Sequence, residues 1–140
     1  MLRRLIVPGL VVALLAGCQS KGPTPPTTTE ARGKIVLPGG QLLRSGRIKL
    51  SPTTADAVEA FGDIGADGTF VLSTYKVGDG AVPGTYKVTV EPFQYKTASG
   101  NPARIKDASR IPPRYLEASS TDMQAVIVSG ANTLDLRLVR

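Results

Sequence analysis

Pro83-Gly-Thr-Tyr-Lys-Val-Thr-Val90 is the stretch on which the fold turns. In a strand, successive side chains point to opposite faces. Tyr86, Val88 and Val90 then share one face, while Lys87 and Thr89 share the other. Gly84, just ahead, supplies the backbone freedom of a tight turn. A strand with one apolar side and one wet side needs a second layer to cover the apolar one.

The same two-residue period recurs on both sides of this run. Toward the C-terminus, Leu134, Leu136 and Leu138 alternate with Asp135 and Arg137. The pattern predicts that this segment pairs with Met123–Val128 across Ser129-Gly-Ala-Asn132. Toward the N-terminus, Ala66-Asp67-Gly68 turns into Thr69–Leu72, with Phe70 and Leu72 inward. Glu59–Ile64, Arg47–Leu50 and Lys34–Leu37 are further strands, the last ended by Pro38-Gly39-Gly40. No segment after residue 30 carries a convincing helical period. Short alternating runs separated by Gly, Pro, Asn and Asp indicate an all-β sandwich or barrel. Residues 31–140 are enough to bury roughly 60–70% of their extended surface, so one independent core is expected.

The first thirty residues follow other rules. Arg3 and Arg4 precede an apolar run, Leu5–Ala16, and no acidic residue occurs there. That is the layout of a secretory signal peptide. The run falls short of the about 20 apolar residues that span a bilayer, and Pro8-Gly9 interrupts it. Gln19–Thr29 has three prolines and no apolar period, which reads as an extended tether. At about 3.1 Å per residue it reaches roughly 35 Å. The expected organisation is a signal peptide over 1–17, a lipidated cysteine and linker over 18–30, and a β domain over 31–140.

Composition narrows the chemistry. The chain has 140 residues, no His, no Trp and a single Cys. Histidine-based triads, imidazole acid–base work and His-ligated metals are excluded. One cysteine forms neither an internal disulfide nor a Cys-rich zinc site. The net charge of +6 falls to +4 once residues 1–17, with their two arginines, are removed. No cofactor is expected beyond a covalent lipid, and no metal.

Leu15-Ala16-Gly17-Cys18 resembles the lipobox of bacterial lipoproteins. In that family the Cys thiol takes a diacylglycerol thioether, cleavage follows before the Cys, and the new amino group is acylated. The resemblance makes Cys18 the lipid attachment site and the membrane a partner. Long acyl chains anchor firmly, at about 0.8 kcal/mol per buried methylene. Gln19 stands where Asp would retain an inner-membrane lipoprotein, which favours the outer membrane.

The β region is similar to the carboxypeptidase regulatory-like, or transthyretin-like, domains of small bacterial lipoproteins. Gly33-Lys-Ile-Val-Leu-Pro-Gly-Gly-Gln-Leu-Leu43 matches the family's first hairpin, and Gly46–Leu50 the strand that follows. Ala66-Asp-Gly-Thr-Phe70 matches its Asp-Gly-x-Phe turn. Pro83-Gly-Thr-Tyr86 matches its Pro-Gly-x-Tyr step, and Ile111–Tyr115 and Asn132–Leu136 also fit. The resemblance implies a seven-stranded, Ig-like sandwich that is extracytoplasmic and non-catalytic. Gly68, Phe70, Gly84 and Tyr86 would be structural, with the Tyr86 hydroxyl locked to backbone.

Three motifs invite chemistry. Ser73-Thr-Tyr-Lys76 has the Ser-x-x-Lys spacing of penicillin-recognising enzymes, but it follows a strand and the companion motifs are missing. Asp63-x-Gly65-x-Asp67-Gly68 begins like a calcium loop, yet Gly65 and Thr74 stand where ligands should be; a hairpin turn accounts for it. The segment Phe93–Tyr115 interleaves Phe93, Tyr95 and Tyr115 with Lys96, Arg104, Lys106, Arg110 and Arg114. Residues 93–110 carry no recognisable pattern; the plain reading is a solvated loop crossing between the sheets, and a long loop on a β scaffold is the first place to look for a partner. Envelope proteins or polysaccharide suit an exported chain; nucleic acid does not. The alternative is an accessory module of an envelope hydrolase, or a cryptic enzyme working with Asp, Lys and Ser.

Overall fold

The computed structural model describes residues 22–96, 98–104 and 106–140. The side chains of residues 95, 96, 102–104, 106 and 107 are outside that description. Its strands are β1 (Ala31–Val36), β2 (Arg47–Pro52), β3 (Ala60–Asp63), β4 (Thr69–Val71) and β5 (Gly84–Glu91), then β6 (Gln94–Lys96), β7 (Pro102–Arg104), β8 (Gln124–Ile127) and β9 (Asn132–Arg137). Short 3-10 helices cover Lys106–Arg110 and Pro113–Leu116. The chain is all-β, with a three-stranded sheet in the order β4-β1-β9 and a four-stranded sheet in the order β3-β2-β5-β8.

Period-two alternation explains how these layers meet. Tyr86, Val88 and Val90 of β5, Ile48 and Leu50 of β2, and Ile127 of β8 are buried on one face of the larger sheet. Ile35 of β1, Phe70 of β4, and Leu134 and Leu136 of β9 are buried on one face of the smaller sheet. All belong to a single apolar cluster, so the two sheets enclose one core. Full burial of such side chains contributes about 1.5–3 kcal/mol each before entropy is counted.

The C-terminal pairing corrects an expectation from the sequence. β8 and β9 do not form a hairpin with each other. β8 pairs antiparallel with β5, and β9 pairs in parallel with β1, from Ala31 opposite Asn132 to Val36 opposite Arg137. Alternation sets which face a strand buries, and both sheets bury theirs in the same core, so either sheet satisfies the leucines. The segment Ser129–Ala131 carries the chain from one layer to the other. Similarly, Gly33–Leu43 closes only a short turn, with Val36 bridged to Leu42, before β2 joins the other sheet. Residues 93–110, without a pattern in sequence, contain the antiparallel β6–β7 pair and a 3-10 helix.

Strand directions give the fold two ends. Thr29 pairs with Ala81 through bonds of 2.8 and 3.0 Å, so residues 22–28 arrive at the start of β1. β4 runs antiparallel with Val71 opposite Arg32, which delivers the loop 73–80 to that same end. Gly84 and Ile127 lie there too, since the Thr29 hydroxyl donates to Val128 O at 3.2 Å. The opposite end holds Arg47 beside Glu91, the β6–β7 pair, and the C-terminus beyond Arg137.

Candidate functional site

The far end carries a hollow of about 590 Å³ lined by Arg47, Glu91, Phe93, Gln94, Leu116 and Glu117, among others. β2 and β5 position its floor by setting Arg47 opposite Glu91, and Asp63 of β3 flanks Arg47 on the other side. Arg47 Nε donates to Asp63 Oδ1 at 2.7 Å, and its guanidinium lies 5.1 Å from the Phe61 ring centroid. The hydrogen bond to Asp63, then the nearby Glu91 charge, hold Arg47 firmly cationic. Phe93 is partly exposed beside this charged group and gives the hollow an aromatic wall. An aromatic face next to mixed charges and amides can stack on a sugar ring or receive a peptide while bonding its polar edges.

The eight residues expected to bind a partner divide. Phe93 lines this hollow. Arg110 lies at a neighbouring hollow of about 500 Å³ with Pro38, Ser109, Ile111 and Arg140, and its Nη1 donates to Gln41 Oε1. The side chains of Tyr95, Lys96, Arg104 and Lys106 lie outside the described residues; their backbones belong to β6, β7 and the 3-10 helix after them. Tyr115 and Arg114 stand elsewhere than expected. Tyr115 is only 1% exposed and joins the core, because the Pro112-Pro113 turn tucks it under the C-terminal strand. Its hydroxyl accepts from Val139 N at 3.2 Å. Arg114 Nη2 donates to Val139 O at 2.8 Å, and its guanidinium sits 4.9 Å from the Tyr115 ring. Both serve packing of the C-terminus.

The structural residues sit as follows. Tyr86 is fully buried, and its hydroxyl donates to Val82 O at 2.5 Å. Burial pushes its pKa up. Phe70 is buried in the core, and Gly68 has φ +81°, in the region that favours glycine. Gly84 departs from the expected turn role: it opens strand β5 without a positive φ, and what it supplies is space, since a Cβ would lie 2.9 Å from the Ala57 methyl. Cys18 and the lipobox residues Leu15, Ala16 and Gly17 lie outside the described residues.

The motifs are engaged locally. Ser73 Oγ accepts from Gly78 N at 2.8 Å, and Lys76 N donates to Asp79 Oδ2 at 3.0 Å, both within one turn. Asp63 is paired with Arg47, and Asp67 Oδ1 accepts from Thr69 N and Oγ1 at 3.0 and 2.8 Å, which closes the hairpin turn. Among the described residues, no three His, Cys, Asp or Glu side chains converge, and no helix is long and apolar enough to cross a membrane.

One residue that sequence reasoning passes over organises the near end. Asn132 is buried, and its Nδ2 lies within 2.8–3.3 Å of Val128 O, Gly130 O, Glu30 O and Thr29 Oγ1. Its Oδ1 accepts from Val128 N at 3.0 Å. It fastens Thr29 and Glu30, at the entry to β1, to the β8–β9 crossover.

No family model matches the chain, and no curated protein matches it. Among solved structures, a 9R-lipoxygenase from Cyanothece PCC8801 resembles it with a TM-score of 0.40 and 9% sequence identity. The likeness covers 79% of this chain, which spans 16% of that protein's length. At that level it carries no argument about fold or chemistry.

Proposed function

We propose that this chain is a lipid-anchored protein of the bacterial cell envelope, held at Cys18, with the outer membrane as its site. Its three- and four-stranded sheets are read as the seven-stranded, transthyretin-like sandwich of a carboxypeptidase regulatory-like domain. The domain is non-catalytic and binds a protein or polysaccharide of the envelope. The observation that carries this reading is the opposition of the two ends. The tether arrives at Thr29, whereas the hollow around Phe93 and Arg47 lies at the other end of the strands. An anchored chain built this way presents the hollow away from the membrane. The hydrogen bonds of Ser73 and Asp79 within their own turn favour this reading over a hydrolase.

The test has two arms. Cells fed a palmitate analogue should label the protein, and Cys18→Ala should abolish the label; unchanged labelling sinks the anchor. A photo-crosslinker at Phe93 in intact cells should give a discrete adduct that one at Thr133, on the outer face of the smaller sheet, does not. Equal adducts from both positions would remove the hollow from the proposal.

A further inference from the structure

The loop between β4 and β5 is rigidly built yet displays apolar side chains to solvent. The Asp79 carboxylate accepts three backbone N–H groups, from Thr74 at 2.7 Å, Tyr75 at 3.0 Å and Lys76 at 3.0 Å. Ser73 Oγ accepts from Gly78 N, and the Thr74 hydroxyl donates to Gly80 O at 2.8 Å. Gly78 and Gly80 take positive φ values of 75° and 90°, which turn the chain back toward Ala81. This frame leaves Val77 fully exposed at the tip, with Tyr75 about half exposed and Lys76 exposed beside it. The loop thus holds out a valine, a lysine and half of a tyrosine from a hydrogen-bonded frame.

Position says what the tip meets. Gly80 packs directly against the backbone of Thr29, and Ala81 pairs with Thr29. The loop therefore stands where the tether enters, eleven residues after Cys18. Val128, also exposed, lies at the same end, its carbonyl accepting from the Thr29 hydroxyl. Chemistry agrees with position: valine enters the acyl boundary, tyrosine suits the headgroup level, and lysine snorkels toward phosphate. The Asp79 charge is spent on backbone donors, and Glu30 pairs with Arg32, which reduces repulsion from an anionic surface.

We propose that the Tyr75-Lys76-Val77 tip docks on the lipid bilayer that holds the chain, so that the domain stands oriented on the membrane. The proposal rests on the anchor reading above. A single valine binds lipid weakly alone, but a short tether keeps its local concentration high, and that turns weak contact into a defined pose.

The full-length protein, lipidated in cells and reconstituted in phosphatidylethanolamine–phosphatidylglycerol vesicles, tests this. Acylation consumes Cys18, so Val77→Cys supplies the one thiol for an environment-sensitive fluorophore. Val139→Cys, exposed at the opposite end, is the control. The Val77 probe should shift to the blue and be quenched by bromolipid several-fold more strongly than the Val139 probe. Flotation with the vesicles reports the anchor separately. Protein that floats, and ceases to float with Cys18→Ala, while its Val77 probe stays as exposed to aqueous iodide as the Val139 probe, overturns the docking alone. Protein that does not float overturns the anchor and the docking with it. A blue shift that appears only when envelope proteins are added assigns the tip to a protein and overturns the bilayer.

Discussion

The Tyr86 hydroxyl donates to the carbonyl of Val82, four residues upstream, at 2.5 Å, with the ring wholly inside the core. The bond ties the entry of β5 to the turn that delivers it. Tyr86→Phe keeps the ring and orphans the carbonyl, at about 1–2 kcal/mol. Tyr86→Ala also opens a cavity, for a loss of about 3–5 kcal/mol. Thermal unfolding by circular dichroism should show the midpoint drop by roughly 4–8 °C per kcal/mol. A Tyr86→Phe midpoint equal to that of the wild type would show the hydroxyl to be idle.

Asn132 should be equally costly to replace, for a different reason. Asn132→Ala leaves the Val128 N–H without its acceptor and takes one donor from the Val128, Gly130 and Glu30 carbonyls. The unpaired N–H costs about 1–3 kcal/mol. The loss should be local as well as global, because Thr29 and Glu30 each lose a contact with the Asn132 side chain. Limited proteolysis should cut the variant near Thr29 faster than it cuts the wild type. Equal cleavage rates would mean that the Thr29–Ala81 pairing holds this segment unaided.

Acid should weaken the loop that ends at Asp79. Slight burial works to raise the Asp79 pKa, but the N–H groups of Thr74, Tyr75 and Lys76 outweigh it and set the carboxyl below its ordinary value. Asp67 is lowered too, chiefly by the Thr69 N–H. A carboxyl with a depressed native pKa contributes stability in full above its unfolded value, near 3.9. That contribution is lost as pH falls through this value toward the native one. Urea midpoints should therefore fall between pH 5 and about pH 3. Asp79→Asn should lower the midpoint at neutral pH and flatten the acid dependence; an unchanged slope would acquit Asp79.

Two glycines of like conformation should differ when replaced. Gly39 and Gly68 both have positive φ, at 110° and 81°. A side chain there costs about 1–2 kcal/mol in backbone strain alone. At Gly39 nothing lies within 4 Å of an added Cβ, whereas at Gly68 it would sit 2.8 Å from the Leu42 Cβ. Gly68→Ala should lose clearly more stability than Gly39→Ala in chemical denaturation. Equal losses would show that Leu42 moves aside freely.

The strands were legible because alternation is a local signal. Tyr86, Val88 and Val90 declare an inward face within six residues, and so do Leu134, Leu136 and Leu138. Partner choice was not legible. Alternation is silent on which sheet a strand joins, so β8 and β9 looked like a hairpin while β9 paired with β1, about a hundred residues earlier. The candidate site was legible in part. Phe93 sits at a hollow, but Arg47 and Glu91 come to it from β2 and β5, whose surface charges resemble any wet strand face. Tyr115 looked like a surface aromatic among arginines because the turn that buries it depends on the distant C-terminus. Asn132 looked like a turn residue, since half its partners lie near Thr29.

The parallel alignment of β1 and β9 has a mechanical consequence. β1 begins just after Thr29, and β9 ends at the opposite end of the fold, beside Tyr115 and Arg114. A pull applied between the start of β1 and the end of β9 slides one strand along the other. The whole ladder from Ala31–Asn132 to Val36–Arg137 then bears load at once instead of opening bond by bond. Force applied between the two ends of the fold would meet this ladder in shear, the direction in which a β ladder resists most.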